Sequence, residues 1–148
     1  VFAVVTLPLG LLTGFLEWRP FTLHHTYGLS NGVGPVLPLL YALLPFGLYF
    51  TVAVPEEALF RGIVQNLLGR TLRAPLVALV CSALLFGIVH SRGQHEPFYL
   101  AMYMAFAGLA GIFYGWAYLR TGRLAAGAAM HALVDWTWLI LFNPNWRG

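Results

Sequence analysis

Residues 124–142 read LAAGAAMHALVDWTWLILF, and in that run from Leu124 to Phe142 only His131 and Asp135 carry ionisable side chains. About 20 apolar residues suffice to cross the hydrocarbon core of a bilayer as a helix, so the stretch reads as a transmembrane span. An ionised side chain near the bilayer centre costs at least about 2.5 to 3.5 kcal/mol, which makes His131 and Asp135 functional candidates by default. The small residues Gly127, Ala128, Ala129 and Ala132 around His131 allow another helix to approach closely.

Working outward, four more apolar runs cover Val1 to Leu16, Pro35 to Val54, Ala74 to Val89 and Phe98 to Leu119. Between the second and third lies Glu56 to Arg70, with Pro55 placed to start or kink a helix. Loops are expected at Glu17 to Gly34, Gly69 to Arg73, Ser91 to Pro97 and Arg120 to Arg123. With 59% hydrophobic residues, 9% charged residues and a mean hydropathy of +0.75, the 148-residue chain has too little polar surface to coat a water-soluble globule. The expected fold is therefore all-α, a polytopic transmembrane helical bundle, with membrane lipid as its surrounding partner. The net charge of +3 comes from eight arginines and no lysine, placed mostly between the apolar runs, which argues against nucleic acid as a partner. Arg70, Arg73, Arg120 and Arg123 fall on one side and Arg19, Arg92 and Arg147 on the other, a margin too small to orient the chain.

The chain opens on Val1 with no charged n-region, unlike a signal peptide. It reads as an excerpt of a longer polytopic protein, residues 1–148 forming a single membrane-embedded domain whose motif-bearing core spans about 35–142. Cys81 has no intrachain partner and reads as a small buried hydrophobe.

Glu56, Glu57, His90, His131 and Asp135 all fall in or beside these apolar runs, and helical spacing organises them. Glu57 and Arg61 are four apart and form an ion pair on one face, while Glu56 points about 100° away. Phe86 and His90 share the same spacing, as do His131 and Asp135. At about 1.5 Å per residue, Glu56 lies roughly 21 Å from the Arg70–Arg73 turn and His90 roughly 25 Å. From the Arg120–Arg123 turn, His131 lies roughly 12 Å in and Asp135 roughly 18 Å. Ordinary helix tilts bring the four level within one cluster, and Gly111 and Gly115, a GxxxG pair, favour close packing.

Three motifs then carry a resemblance. Glu56-Glu57-Ala58-Leu59-Phe60-Arg61 resembles an EExxxR motif, Phe86-Gly87-Ile88-Val89-His90 an FxxxH motif, and His131-Ala132-Leu133-Val134-Asp135 an HxxxN/D motif. In that order on successive hydrophobic helices, they resemble the CPBP family of intramembrane proteases, which includes type II CAAX prenyl endopeptidases and bacteriocin-processing or immunity proteins. The resemblance implies a helical bundle with an intramembrane polar cavity, an integral protein of a bacterial or archaeal plasma membrane, and a membrane-anchored peptide or protein substrate. It also implies hydrolysis by a water activated by glutamate and histidine. Asp135 stands where the prenyl-protein proteases typically carry Asn, a departure from the prenyl-protein pattern at that position.

Peptide hydrolysis needs a base for water, stabilisation of the tetrahedral oxyanion and an acid for the leaving amine. Glu56 with His90 fits the activation of water, and His131 with Asp135 fits stabilisation of the intermediate. Glu57, Arg61 and Phe86 are expected as supports. An ionised Asp135 orients His131, whereas a neutral one shares the site with it, and the sequence allows both. No serine or cysteine stands in a motif; Ser82 and Cys81 read as packing residues. If Zn²⁺ bound, Glu56, His90 and His131 would be its ligands, but the absence of HExxH favours no obligatory metal. The alternatives are a non-catalytic immunity or partner-binding protein, and an ion or proton path, which would string its ionisable groups along the membrane normal. His24, His25 and His95 read as loop residues, and Trp136, Trp138 and Trp146 as an interfacial aromatic belt.

Overall fold

The computed structural model describes residues 2–18, 36–91 and 96–144. The expectations for His24, His25, His95, Trp146, Arg19, Arg92 and Arg147 lie outside the described residues. Within the described residues five helices follow one another: α1 (Phe2–Leu12), α2 (Pro38–Leu72), α3 (Pro75–Val89), α4 (Pro97–Thr121) and α5 (Leu124–Leu141). Of these, α2, α4 and α5 are long and apolar enough to cross a membrane, and α3 is a shorter apolar helix. The all-α membrane bundle expected from composition is the observed fold.

Pro55 does not start a new helix at Glu56. The apolar run before it and the segment after it form one continuous 35-residue helix, α2. Pro55 has no N–H, and in an α-helix its ring would crowd the carbonyl four residues back. The chain widens instead: Tyr49–Ala53 is π-helical, with the Val54 N–H bonded to Tyr49 O, and Ala58–Gln65 is a second π segment. This lets the helix pass Pro55 without ending. Glu57, Arg61 and Gln65, four residues apart, are all buried.

Local signals account for most helix boundaries. Pro75 and Pro97 stand in the first turns of α3 and α4, where a missing N–H is harmless. Gly122, at φ +65°, closes α4 by returning its N–H to Tyr118 O at 2.8 Å. Arg73 takes the same left-handed conformation at φ 51° to end α2.

One expected loop starts differently. Leu16–Trp18 forms a short strand, β1, paired antiparallel with β2 (Phe142–Pro144), with Trp18 opposite Phe142. Glu17 and Trp18 are therefore paired backbone, and Phe142 leaves the last span. Phe15, Leu16, Phe106 and Phe142 bury together beneath this pair. Trp138 belongs to the same cluster, edge-on to Phe15 and Phe106 at 6.1 and 5.9 Å. Trp136 donates its indole N–H to Tyr41 O at 2.8 Å, tying α5 to α2. Trp136 and Trp138 thus also pack between elements, since indole rings fill large concavities as readily as they mark interfaces.

Burial is inverted relative to a water-soluble protein. Phe46, Phe50, Ile63 and Leu67 on α2 and Leu84 on α3 are each at least 60% exposed, whereas Glu57, Arg61, Gln65, Ser82 and His131 are buried. Such a surface suits lipid, and the enclosed polar groups must satisfy one another. Glycine makes that enclosure tight. A Cβ on Gly87 would stand 2.6 Å from Met104 O, so the backbones of α3 and α4 touch there.

Candidate active site

The site is built outward from Arg61. Its Nη1 donates to Glu57 Oε1 at 2.9 Å and its Nη2 to Gly111 O of α4 at 2.7 Å. The guanidinium also lies over the rings of Phe86 and Tyr114, 4.8 and 5.5 Å from their centroids. Both members of the ion pair are about 1% exposed. A charge held this deep requires partners on several sides, and α2, α3 and α4 each supply one. One turn further along, Gln65 Nε2 donates to Gly115 O at 3.3 Å, and Ser82 Oγ donates to Phe60 O at 2.9 Å. Gly111 and Gly115 thus give α2 side chains access to the α4 backbone as well as close helix contact.

Glu57 does more than hold Arg61. The same Oε1 accepts from His131 Nδ1 at 3.2 Å, a contact spanning 74 residues. A methyl group on Gly127 would stand 2.7 Å from Glu57 Oε2, so α5 can approach this carboxylate only through a glycine. Tyr114 stacks on the His131 ring at 4.8 Å with planes 15° apart, and Phe86 meets it edge-on at 5.7 Å. His131 is therefore fixed in position and in ring plane. Its other nitrogen, Nε2, faces Asp135 Oδ2 at 3.4 Å and Glu56 Oε2 at 3.8 Å.

His90 completes the cluster from α3. Its Nδ1 lies 2.6 Å from Phe86 O, and because a carbonyl only accepts, that nitrogen carries the proton. Nε2 is left facing Glu56 Oε2 at 3.9 Å. The Phe86 ring covers the imidazole at a centroid distance of 4.5 Å, so one residue positions His90 through both its backbone and its ring.

Glu56, His90, His131 and Asp135 are thus brought together, with Glu56 Oε2 between the two imidazoles, and Glu57, Arg61 and Phe86 lie directly behind them. Beside them a cavity of about 70 Å³ is lined by His90, His131, Asp135, Tyr103 and Tyr114 among other residues. At about 30 Å³ per water, that is room for very few molecules. Among the described residues no group of three or more His, Cys, Asp and Glu side chains is placed to hold a metal ion. Sequence reasoning missed Tyr114, Gln65 and the tie between Glu57 and His131; Gly127 was visible as a small residue beside His131.

Comparison with protein families supplies a separate line. The model described as "Type II CAAX prenyl endopeptidase Rce1-like" matches residues 35–137, which contain all three motifs. No curated protein and no solved structure matches the chain. With the family model covering well over half of the 148 residues, and with helices able to span a bilayer, the chain belongs to the Rce1-like family of membrane proteases.

Proposed function

We propose that the chain is an intramembrane endopeptidase that hydrolyses a peptide bond of a membrane-anchored substrate, using water activated by Glu56 and His90. The observation that carries the reading is the position of Glu56 Oε2. It is a buried acceptor atom without a hydrogen bond among the described residues, 3.9 Å from His90 Nε2 and 3.8 Å from His131 Nε2. These separations are too long for direct hydrogen bonds and suit a shared water. Compactness also supports hydrolysis over an ion path, since the groups form one cluster rather than a file.

Glu56 takes one proton from the water, and His90 Nε2 accepts the second O–H because Nδ1–H is committed to Phe86 O. The oxygen attacks the scissile carbonyl carbon and an oxyanion forms, stabilised from the side of His131. Glu56 then passes its proton to the amide nitrogen, the C–N bond breaks to a carboxylic acid and an amine, and the acid gives its remaining proton to the amine, so that a carboxylate and an ammonium leave. Glu57 and Asp135 act through His131, holding its ring from Nδ1 and Nε2 respectively. No step is routed through a metal. The family description supports a membrane-anchored substrate of the CAAX type, and Asp135 is the position at which the chain departs from the prenyl-protein pattern.

The test uses the purified protein in detergent with a fluorogenic peptide bearing a lipid-modified cysteine and an unmodified control. Wild type cleaves the lipidated peptide, and Glu56→Gln abolishes cleavage with an unchanged unfolding curve. Wild-type turnover by Glu56→Gln refutes the assignment of the base. A wild type that cleaves neither peptide favours the non-catalytic, partner-binding alternative.

A further inference from the structure

All five carboxylates of the chain lie away from one end of the bundle. Glu56, Glu57 and Asp135 are in the site, Glu96 directly precedes α4, and Glu17 sits in β1, whose partner strand follows the far end of α5. The opposite end is formed by the α2–α3 and α4–α5 turns, which carry Arg70, Arg73, Arg120 and Arg123. All four are exposed, and among the described residues none of them has an ion-pair partner.

Two contacts set these turns side by side. Asn66 Nδ2 donates to the Tyr118 hydroxyl at 2.8 Å, and a Cβ on Gly62 would stand 3.6 Å from a Leu124 methyl. At about 1.5 Å per residue, Arg70 lies about 6 Å and Arg120 about 3 Å beyond the Asn66–Tyr118 bond. Helix dipoles do not neutralise the four charges. Two helices, α2 and α4, end here and two, α3 and α5, begin here, so their opposite half-charges offset one another.

Directly inside the arginines the surface is apolar. Leu72, Leu76, Leu119 and Leu124 are exposed, and Trp116, 45% exposed, lies beneath Arg120, whose guanidinium is 5.3 Å from the indole centroid. A guanidinium matches a phosphate with two parallel N–H donors. Exposed leucines followed at once by unpaired arginines complement a whole anionic phospholipid, acyl chains on the leucines and phosphate on the guanidinium groups. A free phosphate ion would use only the second half of that surface.

We propose that the face bearing Arg70, Arg73, Arg120 and Arg123 is a binding surface for anionic phospholipid headgroups. This binding is independent of peptide hydrolysis. The test titrates the protein in neutral detergent with phosphatidylglycerol or phosphatidylcholine and counts bound lipid by native mass spectrometry. An arginine near an anionic headgroup contributes roughly a fivefold preference, so wild type should bind the first phosphatidylglycerol at least roughly fivefold more tightly than phosphatidylcholine. The preference should shrink as ammonium acetate is raised. It should vanish when all four arginines become glutamine, and survive in Arg19→Gln with Arg92→Gln and Arg147→Gln, which removes three charges elsewhere in the sequence.

If the fourfold variant does not fold, the pairs Arg70→Gln with Arg73→Gln and Arg120→Gln with Arg123→Gln should each reduce the preference. Equal binding of the two lipids by wild type overturns the proposal, as does a preference that persists in the fourfold variant or in both pairs. A preference lost in the Arg19, Arg92 and Arg147 variant assigns it to net charge rather than to this face and overturns it too. Inorganic phosphate that displaces phosphatidylglycerol, at an ionic strength where acetate does not, overturns the lipid in favour of a phosphate ion.

Discussion

Replacing Arg61 by methionine keeps an unbranched stem and removes the guanidinium and its charge. Glu57, 0% exposed, would then be a buried carboxylate whose only remaining ionisable contact at hydrogen-bond distance among the described residues is His131. Removing one partner of a buried ion pair costs about 3–5 kcal/mol. No solvent discount applies, because both side chains are about 1% exposed. Loss of the guanidinium over Phe86 and Tyr114 removes about 2 kcal/mol more if those contacts are fully desolvated. Arg61→Met should therefore unfold in detergent at much lower denaturant, or fail to accumulate. The pair Glu57→Gln with Arg61→Met carries no buried charge, and the amide introduced at position 57 still offers an acceptor to His131 Nδ1. The double variant should recover most of the lost stability, because eliminating a buried pair is far less costly than breaking it. Its peptidase activity should stay low, since a neutral amide holds His131 less firmly than a carboxylate. The assay is denaturant unfolding followed by tryptophan fluorescence, with turnover measured on the same samples. A cost below about 1 kcal/mol for Arg61→Met, or strictly additive losses in the double variant, would refute the argument that Glu57 and Arg61 form one electrostatic unit.

Two further outcomes are expected. Asp135→Asn should keep substantial activity, because an amide preserves a contact to His131 Nε2, while Asp135→Leu and His131→Ala each lose most of it. Combining those two losses should be little worse than either alone, and multiplying effects in a turnover assay would show that the residues act independently. Exhaustive chelation should leave peptide cleavage largely intact. Activity lost on chelation and restored specifically by Zn²⁺ would transfer the activation of water to a metal-bound mechanism.

What the linear chain determined is what depends on neighbours along a helix. Residues four apart meet in any helix, so the Glu57–Arg61 pair, the Phe86 ring over His90 and the approach of Asp135 to His131 were all legible from spacing, and they occur at 2.9, 4.5 and 3.4 Å. Hydropathy likewise determined that the bundle is helical and turned toward lipid. Spacing could not show that Glu57 serves His131 as well as Arg61, since that contact joins residues 74 apart and exists only because Gly127 lets α5 close onto α2. Nor could it show that α2 runs unbroken past Pro55, because a proline's local preference for ending a helix is outweighed here by widened winding within a packed bundle. Tyr114 looked like an ordinary member of an apolar stretch, Gln65 like one more polar residue between Glu56 and Arg70, and Trp138 like a residue at the membrane interface. Their roles come from which helix faces meet, and that is decided by close packing and by the need of every buried polar group to find a partner, conditions satisfied only when all the helices are assembled.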